Sequence, residues 1–312
     1  MLTSLVPHHK LTPSARPIVI GIDIGGTAIK LGRFDHTGQG LQFLTIATPQ
    51  PATPDAILNA IVTVMSTIDP KQQAISIGIG TPGPTDVTGR IARLAINLPG
   101  WVNVPVADRI EAEFKIPCTV GNDGNCAALG EQWQGAGRDY QNIVMLTLGT
   151  GVGGGIILNG QLFTGHNGAA GELGSISFNP DGHPCNSGNR GSLEQQLCIG
   201  SIVRRSGKDP ALLGQLAKAG DPDALAFWEC YGRDLGVGLT TLIYVLNPEA
   251  IVIGGGISGS SEFFFKSAMI EMKTRVSAQT QGTQLLKAEL GNQAGMYGAA
   301  KLALQRVIEQ IP

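Results

Sequence analysis

The hydrophobic pattern of the first 70 residues predicts a β-hairpin followed by an amphipathic helix. Residues 17–24 (PIVIGIDI) form an apolar, β-branched run that stops at a glycine pair, and residues 28–35 (AIKLGRFD) alternate like a second strand. Further on, Thr53 and Pro54 fit the N-cap and first position of a helix. The apolar face of this helix comprises Ile57, Ile61, Val64, Met65 and Ile68.

Residues 74–134 continue the alternation of strands, loops and helices. Residues 74–80 (AISIGIG) predict a strand that leads into the loop TPGPTD. VADRIEAEFKIP predicts a helix that Pro117 ends. A short strand then precedes GNDGNCAALGEQWQGAG, where a polar loop becomes a helix that runs to about Gln134.

A second hairpin repeats the first. NIVMLTLGTGVGGGIILNGQLF again predicts strand, glycine turn and strand. Asp23 aligns with Thr147 and Gly25 with Gly149, an offset of 124 residues in both cases. The repeat favours two topologically related halves that face each other across a cleft.

The remaining chain is mostly helical from Ser192 onward. A long amphipathic helix is predicted at about 223–246, before Pro248, and another at about 261–277. Buried strands are predicted at 250–256 (AIVIGGG) and 285–290 (LLKAEL), followed by a final helix. The absence of a low-complexity linker indicates domains joined by a hinge.

We therefore expect an α/β protein of two domains. The expected division is an N-terminal tail at 1–16, a small α/β domain at 17–122 and a large α/β domain at 123–294. The C-terminal helix at 295–312 could complete the small domain.

The amino-acid composition indicates which kinds of partner the protein binds. The 22 lysines and arginines nearly balance the 24 aspartates and glutamates, so no overall charge favours nucleic acid or a membrane surface. Five cysteines without paired spacing indicate a reduced, cytoplasmic compartment. No apolar run has the length of a signal peptide or of a membrane span of ~20 residues. We expect a small-molecule partner.

Glycine-rich loops at the strand ends suggest phosphate binding. The chain has 44 glycines, many of them clustered beside apolar runs. In DIGGT, residues 23–27, a glycine turn and a threonine can offer backbone N–H groups to an anion, and Asp23 can hold magnesium through water. LGTGVGGG offers the same chemistry from the second half, with Thr147 and Thr150 as hydroxyl donors. An ordinary hairpin turn remains the alternative for DIGGT alone.

The sequence of the third glycine loop helps to distinguish a kinase from a dinucleotide-binding oxidoreductase. Residues 254–256 are three glycines after a buried strand and before a helix, suited to packing against a base or ribose. The G-x-G-x-x-G spacing of a dinucleotide fold is missing. A kinase is therefore favoured over a Rossmann oxidoreductase.

Three carboxylates are candidates for substrate chemistry. Asp123 in GNDGN could take the proton of an acceptor hydroxyl, with Asn122 holding a sugar hydroxyl beside it, although an Asx turn or helix cap explains the same residues. Glu172 and Glu194 stand next to glycine-rich turns and could accept hydrogen bonds from vicinal sugar hydroxyls. For each of these two glutamates taken alone, a solvated surface charge is the favoured interpretation.

The ordered motifs resemble the ROK family of repressors, open reading frames and sugar kinases. They are GIDIGGTAIK, GTPGP, NLPGW, GNDGNCAALGE, LTLGTGVGGG and GAAGELG, and the similarity extends from about residue 17 to the end. It is strongest to bacterial ROK glucokinases, including cyanobacterial members that share CNSGNRGSLEQ. The resemblance implies an actin-like, ribonuclease H-like fold of two domains that close over ATP-magnesium and a hexose, and it implies a homodimer.

The resemblance also implies roles for individual residues. Asp123 would be the general base that deprotonates the 6-hydroxyl of the hexose. The other hexose contacts would be Gly83, Asn122, Glu172, Ser175 and Glu194. The contacts to ATP and its magnesium would be Asp23, Gly25, Gly26, Thr27, Lys30, Thr147, Gly149, Thr150, Gly151, Gly254, Gly255 and Gly256.

One segment departs from the family pattern. Many ROK kinases bind a structural zinc ion through a histidine after GELG and a C-x-C-G-x-x-G-C-x-E segment. Here the histidine position is Ser175, and Ser187 and Ser192 stand where cysteines would be. Cys185 alone cannot hold zinc, and adding His183 leaves the tetrahedral site two ligands short. We expect no structural zinc, and Ser175 leaves hexose affinity and anomer preference open.

The main functional hypothesis is an ATP-dependent glucokinase. Fructokinase and N-acetylhexosamine kinase are alternatives, because the sugar contacts are largely shared within the family. A polyphosphate-dependent glucokinase is another, because some glucokinases that resemble this family use polyphosphate and lack the zinc segment. A ROK-type sugar-responsive repressor is more remote, since only about 16 residues precede the DIGGT strand and a helix-turn-helix does not fit there. A catalytically idle sugar-binding module would have no use for a base and two phosphate loops.

Overall fold

The computed structural model describes residues 17–185 and 187–308, so the predicted tail 1–16 lies outside the described residues. Its strands are β1 (Ile18–Ile24), β2 (Ala28–Asp35), β3 (Gly40–Ala47), β4 (Ala74–Thr81), β5 (Ala92–Leu94), β6 (Val102–Val104), β7 (Cys118–Asn122), β8 (Ile143–Leu148), β9 (Val152–Leu158), β10 (Gln161–Leu162), β11 (Ala250–Gly254) and β12 (Gln284–Lys287). Its α-helices are α1 (Pro54–Ile68), α2 (Val106–Phe114), α3 (Asp123–Gln134), α4 (Leu193–Leu197), α5 (Ile199–Ser206), α6 (Pro210–Lys218), α7 (Pro222–Leu246), α8 (Ser261–Arg275) and α9 (Ala294–Ile308).

Two mixed five-stranded sheets have the same topology. Their strand orders are β3-β2-β1-β4-β7 and β10-β9-β8-β11-β12. Asp23 in β1 pairs with Gly80 of the parallel strand β4, and Thr147 in β8 pairs with Gly254 of the parallel strand β11. The repeat predicted from the two hairpins is thus present in the pairing register of both sheets.

The local signal at Thr53-Pro54 placed the start of α1 correctly, and the start of α7 lies one residue before the predicted one. The Thr53 hydroxyl accepts a hydrogen bond from the Ala56 N–H at 3.3 Å, and Pro54 is the first residue of α1. The long helix α7 starts at Pro222, where the Asp221 carboxylate accepts from the Ala224 N–H at 2.8 Å. Both helices use a polar N-cap followed by proline.

Other boundaries differ from the prediction. Helix α2 ends at Phe114, before Pro117, because Lys115 adopts a left-handed conformation with φ of 57°. Strand β12 ends at Lys287 instead of Leu290. The Glu289 and Leu290 N–H groups donate to the buried Glu131 carboxylate instead, at 3.0 and 2.8 Å. Strand β3 was not predicted from the sequence, although its side chains alternate regularly between half-buried and exposed.

Helix α9 packs against α3 and against the first sheet. The helices approach closely because glycines, which have no side chain, lie at the contact. A Cβ at Gly298 would overlap the Cys126 carbonyl oxygen of α3. Cβ atoms at Gly21 and Gly78, in β1 and β4, would likewise overlap carbonyl oxygens of α9. The last helix therefore joins the first sheet to the helix that begins at Asp123, and the domain division remains a prediction.

Each sheet has its own hydrophobic core. The first core includes Ile22, Ile79 and Trp101, and the second includes Leu146, Trp228 and Phe264, all nearly inaccessible to solvent. Burial of such side chains is the main favourable contribution to folding. Across the described part of the chain, we find no helix both long and apolar enough to cross a membrane.

Candidate functional site

The first glycine turn lies at the end of β1. Asp23 is the last polar side chain of that strand, and its Oδ2 accepts a hydrogen bond from Lys30 Nζ at 2.9 Å. The Gly25 N–H donates to the Ala28 carbonyl at 3.0 Å and closes the turn, which leaves Gly26 and Thr27 exposed. This exposed backbone can face an anion, as the sequence suggested.

The second glycine turn joins β8 to β9. Its Gly149 N–H donates to the Gly151 carbonyl at 3.0 Å, and Thr150 at the tip is exposed. The Gly149 carbonyl accepts from the Ile199 N–H at 2.9 Å, which ties the turn to the start of α5. The Thr147 side chain is half-buried beside Gly153 of the neighbouring strand.

The third glycine loop opens onto a cavity of about 540 Å³. Gly255 has φ of +80°, and a Cβ there would overlap the Leu148 carbonyl, so this position requires glycine. Gly256 lines the cavity together with Ile199, which connects the cavity to the second turn. The lining also includes Pro210, Gly214 and Lys218 of α6 and Phe263 of α8, which the sequence analysis missed because no motif marks these residues.

Asp123 is the first residue of α3, directly after β7. Its Oδ1 accepts hydrogen bonds from Asn122 Nδ2 at 3.0 Å and from the Gly124 N–H at 2.8 Å. The Asn122 side chain also accepts from the Asn125 N–H at 3.0 Å as the N-cap. The helix cap considered from the sequence is therefore present, and Asn122 provides it. Asp123 Oδ2 is left for another partner.

Asn122 links this helix start to the loop after β4. Its Nδ2 donates to the Gly83 carbonyl at 3.1 Å. Gly83 has φ of +76°, and a Cβ there would overlap the Leu94 carbonyl. Gly124 packs against the second half, since a Cβ on it would lie 2.5 Å from the Gly154 carbonyl oxygen. The start of α3 thus lies where the two sheets approach each other.

The carboxylates around Asp123 influence one another. Asp123 reaches solvent, but the protein atoms crowded around it weaken its solvation and raise its pKa to about 6. The negative charges of Asp23 and Glu172 raise the pKa further, while the Gly124 N–H opposes them. Burial, with the charge of Glu194, raises the pKa of Glu172 in turn. Four carboxylates from both halves share one negative field.

This field suits a magnesium nucleotide. Carboxylate oxygens are the ligands that magnesium prefers, and a cation would relieve the repulsion that raises the pKa of Asp123. Asp23 stands beside the first turn, and its role in holding such an ion through water remains a prediction from the sequence. Gly295 of α9 is a further neighbour of Asp23, since a Cβ at Gly295 would lie 3.0 Å from Asp23 Cγ. No sequence motif marks this glycine.

Glu172 and Glu194 occupy two adjoining segments. Glu172 precedes a 3₁₀ turn, Leu173–Ser175, so Ser175 lies three residues along the same segment. Glu194 is in α4, and its Oε2 accepts from the Val152 N–H at 3.0 Å, beside the second glycine turn. The Cys185 sulfur lies 4.0 Å from Glu194 Oε1. Glu194 therefore has one oxygen engaged by the protein and the other turned toward Cys185.

The segment that departs from the zinc pattern is held together by hydrogen bonds. Burial alone would raise the pKa of the Cys185 thiol, but hydrogen bonds from the Ser187 and Ser192 hydroxyls lower it below its ordinary value. Ser192 also caps α4 by accepting from the Gln195 N–H at 3.4 Å. Within residues 17–185 and 187–308, no group of three or more His, Cys, Asp or Glu side chains could hold a metal ion.

Comparison with known proteins finds a matching family and similar enzymes over most of the chain. A ROK family profile matches residues 19–306. Glucokinase from Thermotoga maritima is 32% identical, covering 93% of this chain and 98% of that protein. Glucokinase from Halalkalibacterium halodurans is 34% identical, covering 92% of this chain and 95% of that protein.

One solved structure is similar to this chain in both fold and sequence. The ROK family glucokinase from Streptomyces griseus, in complex with glucose and AMPPNP, has a TM-score of 0.78 and 32% identity, covering 92% of this chain and 99% of that one. This similarity confirms the predicted actin-like α/β fold. By sequence and by structure, the chain belongs to the ROK family.

Proposed function

We propose that this protein is an ATP-dependent glucokinase that transfers the γ-phosphoryl group of ATP to the 6-hydroxyl of glucose. The observation that carries the proposal is Asp123: a solvent-accessible carboxylate with a pKa of about 6, at the meeting of the two halves. Relatives named glucokinase, and a related structure with glucose and AMPPNP, supply the substrate class.

Asp123 acts as the general base. At neutral pH a carboxylate with this pKa is mostly ionised, yet it is more basic than an ordinary aspartate. Asn122 and Gly124 hold Oδ1, so Oδ2 accepts the proton of the 6-hydroxyl. The hydroxyl oxygen forms a bond to the γ-phosphorus while the bond between that phosphorus and the β,γ-bridging oxygen breaks, and ADP leaves with that electron pair.

The nucleotide lies along the three glycine loops. Exposed backbone at Gly26 and at Thr150 faces the phosphates, and the cavity beside Gly256 accepts the base or ribose. Magnesium bound with ATP supplies charge neutralisation at the phosphates. Asp23 would hold that ion through water, and Lys30 Nζ donates to Asp23 Oδ2 at 2.9 Å and holds the carboxylate in place.

The hexose lies between Asp123 and the two glutamates. Asn122 and the Gly83 loop bind it on one side, and Glu172, Ser175 and Glu194 bind it on the other. Carboxylates bind vicinal hydroxyls well because ionised acceptors form the stronger hydrogen bonds. A coupled assay with glucose, fructose, mannose and N-acetylglucosamine, each with ATP or polyphosphate, compares this assignment with its alternatives.

Asp123→Asn tests the assigned base. The amide keeps the shape of the side chain but cannot accept the proton, so we expect kcat to fall by about 10²- to 10⁴-fold with little change in the glucose KM. The matched control is Asp223→Asn, an exposed aspartate in the first turn of α7, which should retain full activity. Wild-type turnover by folded Asp123→Asn protein would contradict the assignment.

A further inference from the structure

The two glutamates of the hexose site lie on adjoining stretches of chain. The first stretch is residues 172–179, and the second comprises residues 182–185 and 187–194. Backbone hydrogen bonds pair them near Glu194: the Leu193 N–H donates to the Ile176 carbonyl at 2.8 Å, and the Phe178 N–H donates to the Gly191 carbonyl at 2.8 Å. The separation of Glu172 and Glu194 depends on how these stretches are held together.

The second stretch contains a small hairpin. Pro184 and Arg190 form an antiparallel bridge, and the Cys185 N–H donates to the Asn189 carbonyl at 2.7 Å. Backbone pairing holds the base of the hairpin against the first stretch, because the Phe178 and Asn179 N–H groups both donate to the Gly191 carbonyl. Beyond this base, a side chain adds a further attachment.

Asn189 makes that attachment. Its Nδ2 donates to the Ser175 carbonyl at 2.8 Å and to the Ser177 hydroxyl at 3.1 Å, both in the first stretch. Its Oδ1 accepts from the Arg190 N–H at 2.7 Å, which fixes the orientation of the amide. One half-buried side chain thus joins the hairpin to the segment that begins at Glu172.

The attachment lies among the positions that correspond to zinc ligands in the family pattern. Asn189 binds the backbone of Ser175 through its side chain, and it binds Cys185 through its own carbonyl. A metal ion would connect these positions directly, whereas the described residues contain no cluster of three or more His, Cys, Asp or Glu side chains able to bind one. Hydrogen bonds from Asn189 make the same connection.

We infer that Asn189 is a positioning residue, which holds the hairpin against residues 172–177 and so sets the separation of the Glu172 and Glu194 carboxylates. The inference rests on the proposed hexose site, because its functional consequence is hexose affinity. Asn189 itself binds neither substrate. Its loss should affect the hexose site and leave the glycine loops and Asp123 unaffected.

Asn189→Ala and Asn189→Asp test the inference. Alanine removes the donor, and aspartate keeps an acceptor for the Arg190 N–H but places a carboxylate oxygen against the Ser175 carbonyl. We expect both variants to raise the glucose KM about tenfold or more, while the ATP KM and kcat stay within about twofold. The matched control is Asn179→Ala: the Asn179 side chain accepts from the Asp181 N–H at 3.1 Å within the same region, and the glucose KM should not change.

Hydrogen exchange gives a readout that does not depend on activity. In Asn189→Ala the backbone amides of Cys185 and of residues 187–193 should exchange faster than in the wild type, with α7 and both sheets unchanged. An unchanged glucose KM, an equal rise in both KM values, or unchanged exchange would each overturn the inference. Absence of hexose phosphorylation by the wild type would instead refute the proposed function, and the exchange comparison would still test the attachment.

Discussion

At the level of single residues, two neighbouring residues, Asn122 and Asp123, take the roles of helix cap and candidate base, which the sequence could not assign separately. By its spacing alone, GNDGN favours an Asx turn or helix cap over a general base. In the folded chain Asn122 caps α3 and also donates to Asp123, so the cap orients the candidate base. The basicity of Asp123 depends on its crowded surroundings and on charges from Asp23 and Glu172, which are distant in sequence.

The pH dependence of activity follows from the pKa of Asp123. The base works only when ionised, so kcat/KM for glucose should be constant above about pH 7 and should fall about tenfold per pH unit below about pH 6. Removal of a neighbouring negative charge makes ionisation easier. In Glu172→Gln the acid limb should therefore move to lower pH, whereas in Glu229→Gln, an exposed residue of α7, it should not move. A shift of the Glu172→Gln limb to higher pH would contradict the shared field.

At the level of elements, glycines determine how closely α9 approaches α3 and the first sheet. Gly298 lies against the Cys126 carbonyl, and Gly295 lies beside the Asp23 carboxylate. The helical pattern of this segment was evident in the sequence, but the reason for its glycines was not. They allow close backbone approach between elements that are far apart along the chain.

Gly298→Ala tests this contact. Alanine normally favours a helix by about 1 kcal/mol over glycine, but here its methyl group would overlap the Cys126 carbonyl and push the helices apart. We expect the free energy of unfolding to fall by about 3 kcal/mol in denaturant titrations. Gly200→Ala, at an exposed position of α5 whose nearest neighbour would be 3.7 Å from the new Cβ, should be neutral or stabilising. Equal stability of the two variants would exclude the packing explanation.

At the level of the whole molecule, the two sheets repeat one topology and contribute different parts of the proposed site. The first sheet and α3 carry Asp23 and Asp123, and the second carries the β8–β9 turn and the Gly256 loop. The cavity beside Gly256 is bounded by α6 and lies apart from the residues assigned to the hexose. Nucleotide and hexose binding should therefore be separable by substitution.

Gly256→Val tests this separation. A Cβ at Gly256 would meet no atom within 4 Å, so valine fits the fold and its side chain fills cavity space. We expect the KM for ATP to rise about tenfold, with the glucose KM within about twofold and the unfolding temperature unchanged. Coupled assays at varied ATP and at varied glucose measure the two constants, and an equal rise in both would show that the cavity does not serve the nucleotide alone.

Much of the fold was predictable because it depends on local patterns. Apolar runs that stop at glycine identified β1, β4, β8 and β11, and Thr53-Pro54 identified a helix start. The prediction for β12 was wrong by three residues because Glu131, far away in sequence, accepts the hydrogen bonds of Glu289 and Leu290. Strand β3 was missed even though its alternation is regular.

The sequence by itself determined the strands, the glycine turns, the repeated hairpin and the residue types available for phosphoryl transfer, since these follow from short-range periodicity and backbone sterics. Only the tertiary structure decided which carboxylates share a field, where the cavity lies beside Gly256, and that Asn189 joins the hairpin to Ser175. Solvation, charge interaction and side-chain hydrogen bonding depend on distances between residues remote in sequence. Those distances exist only once the chain has folded.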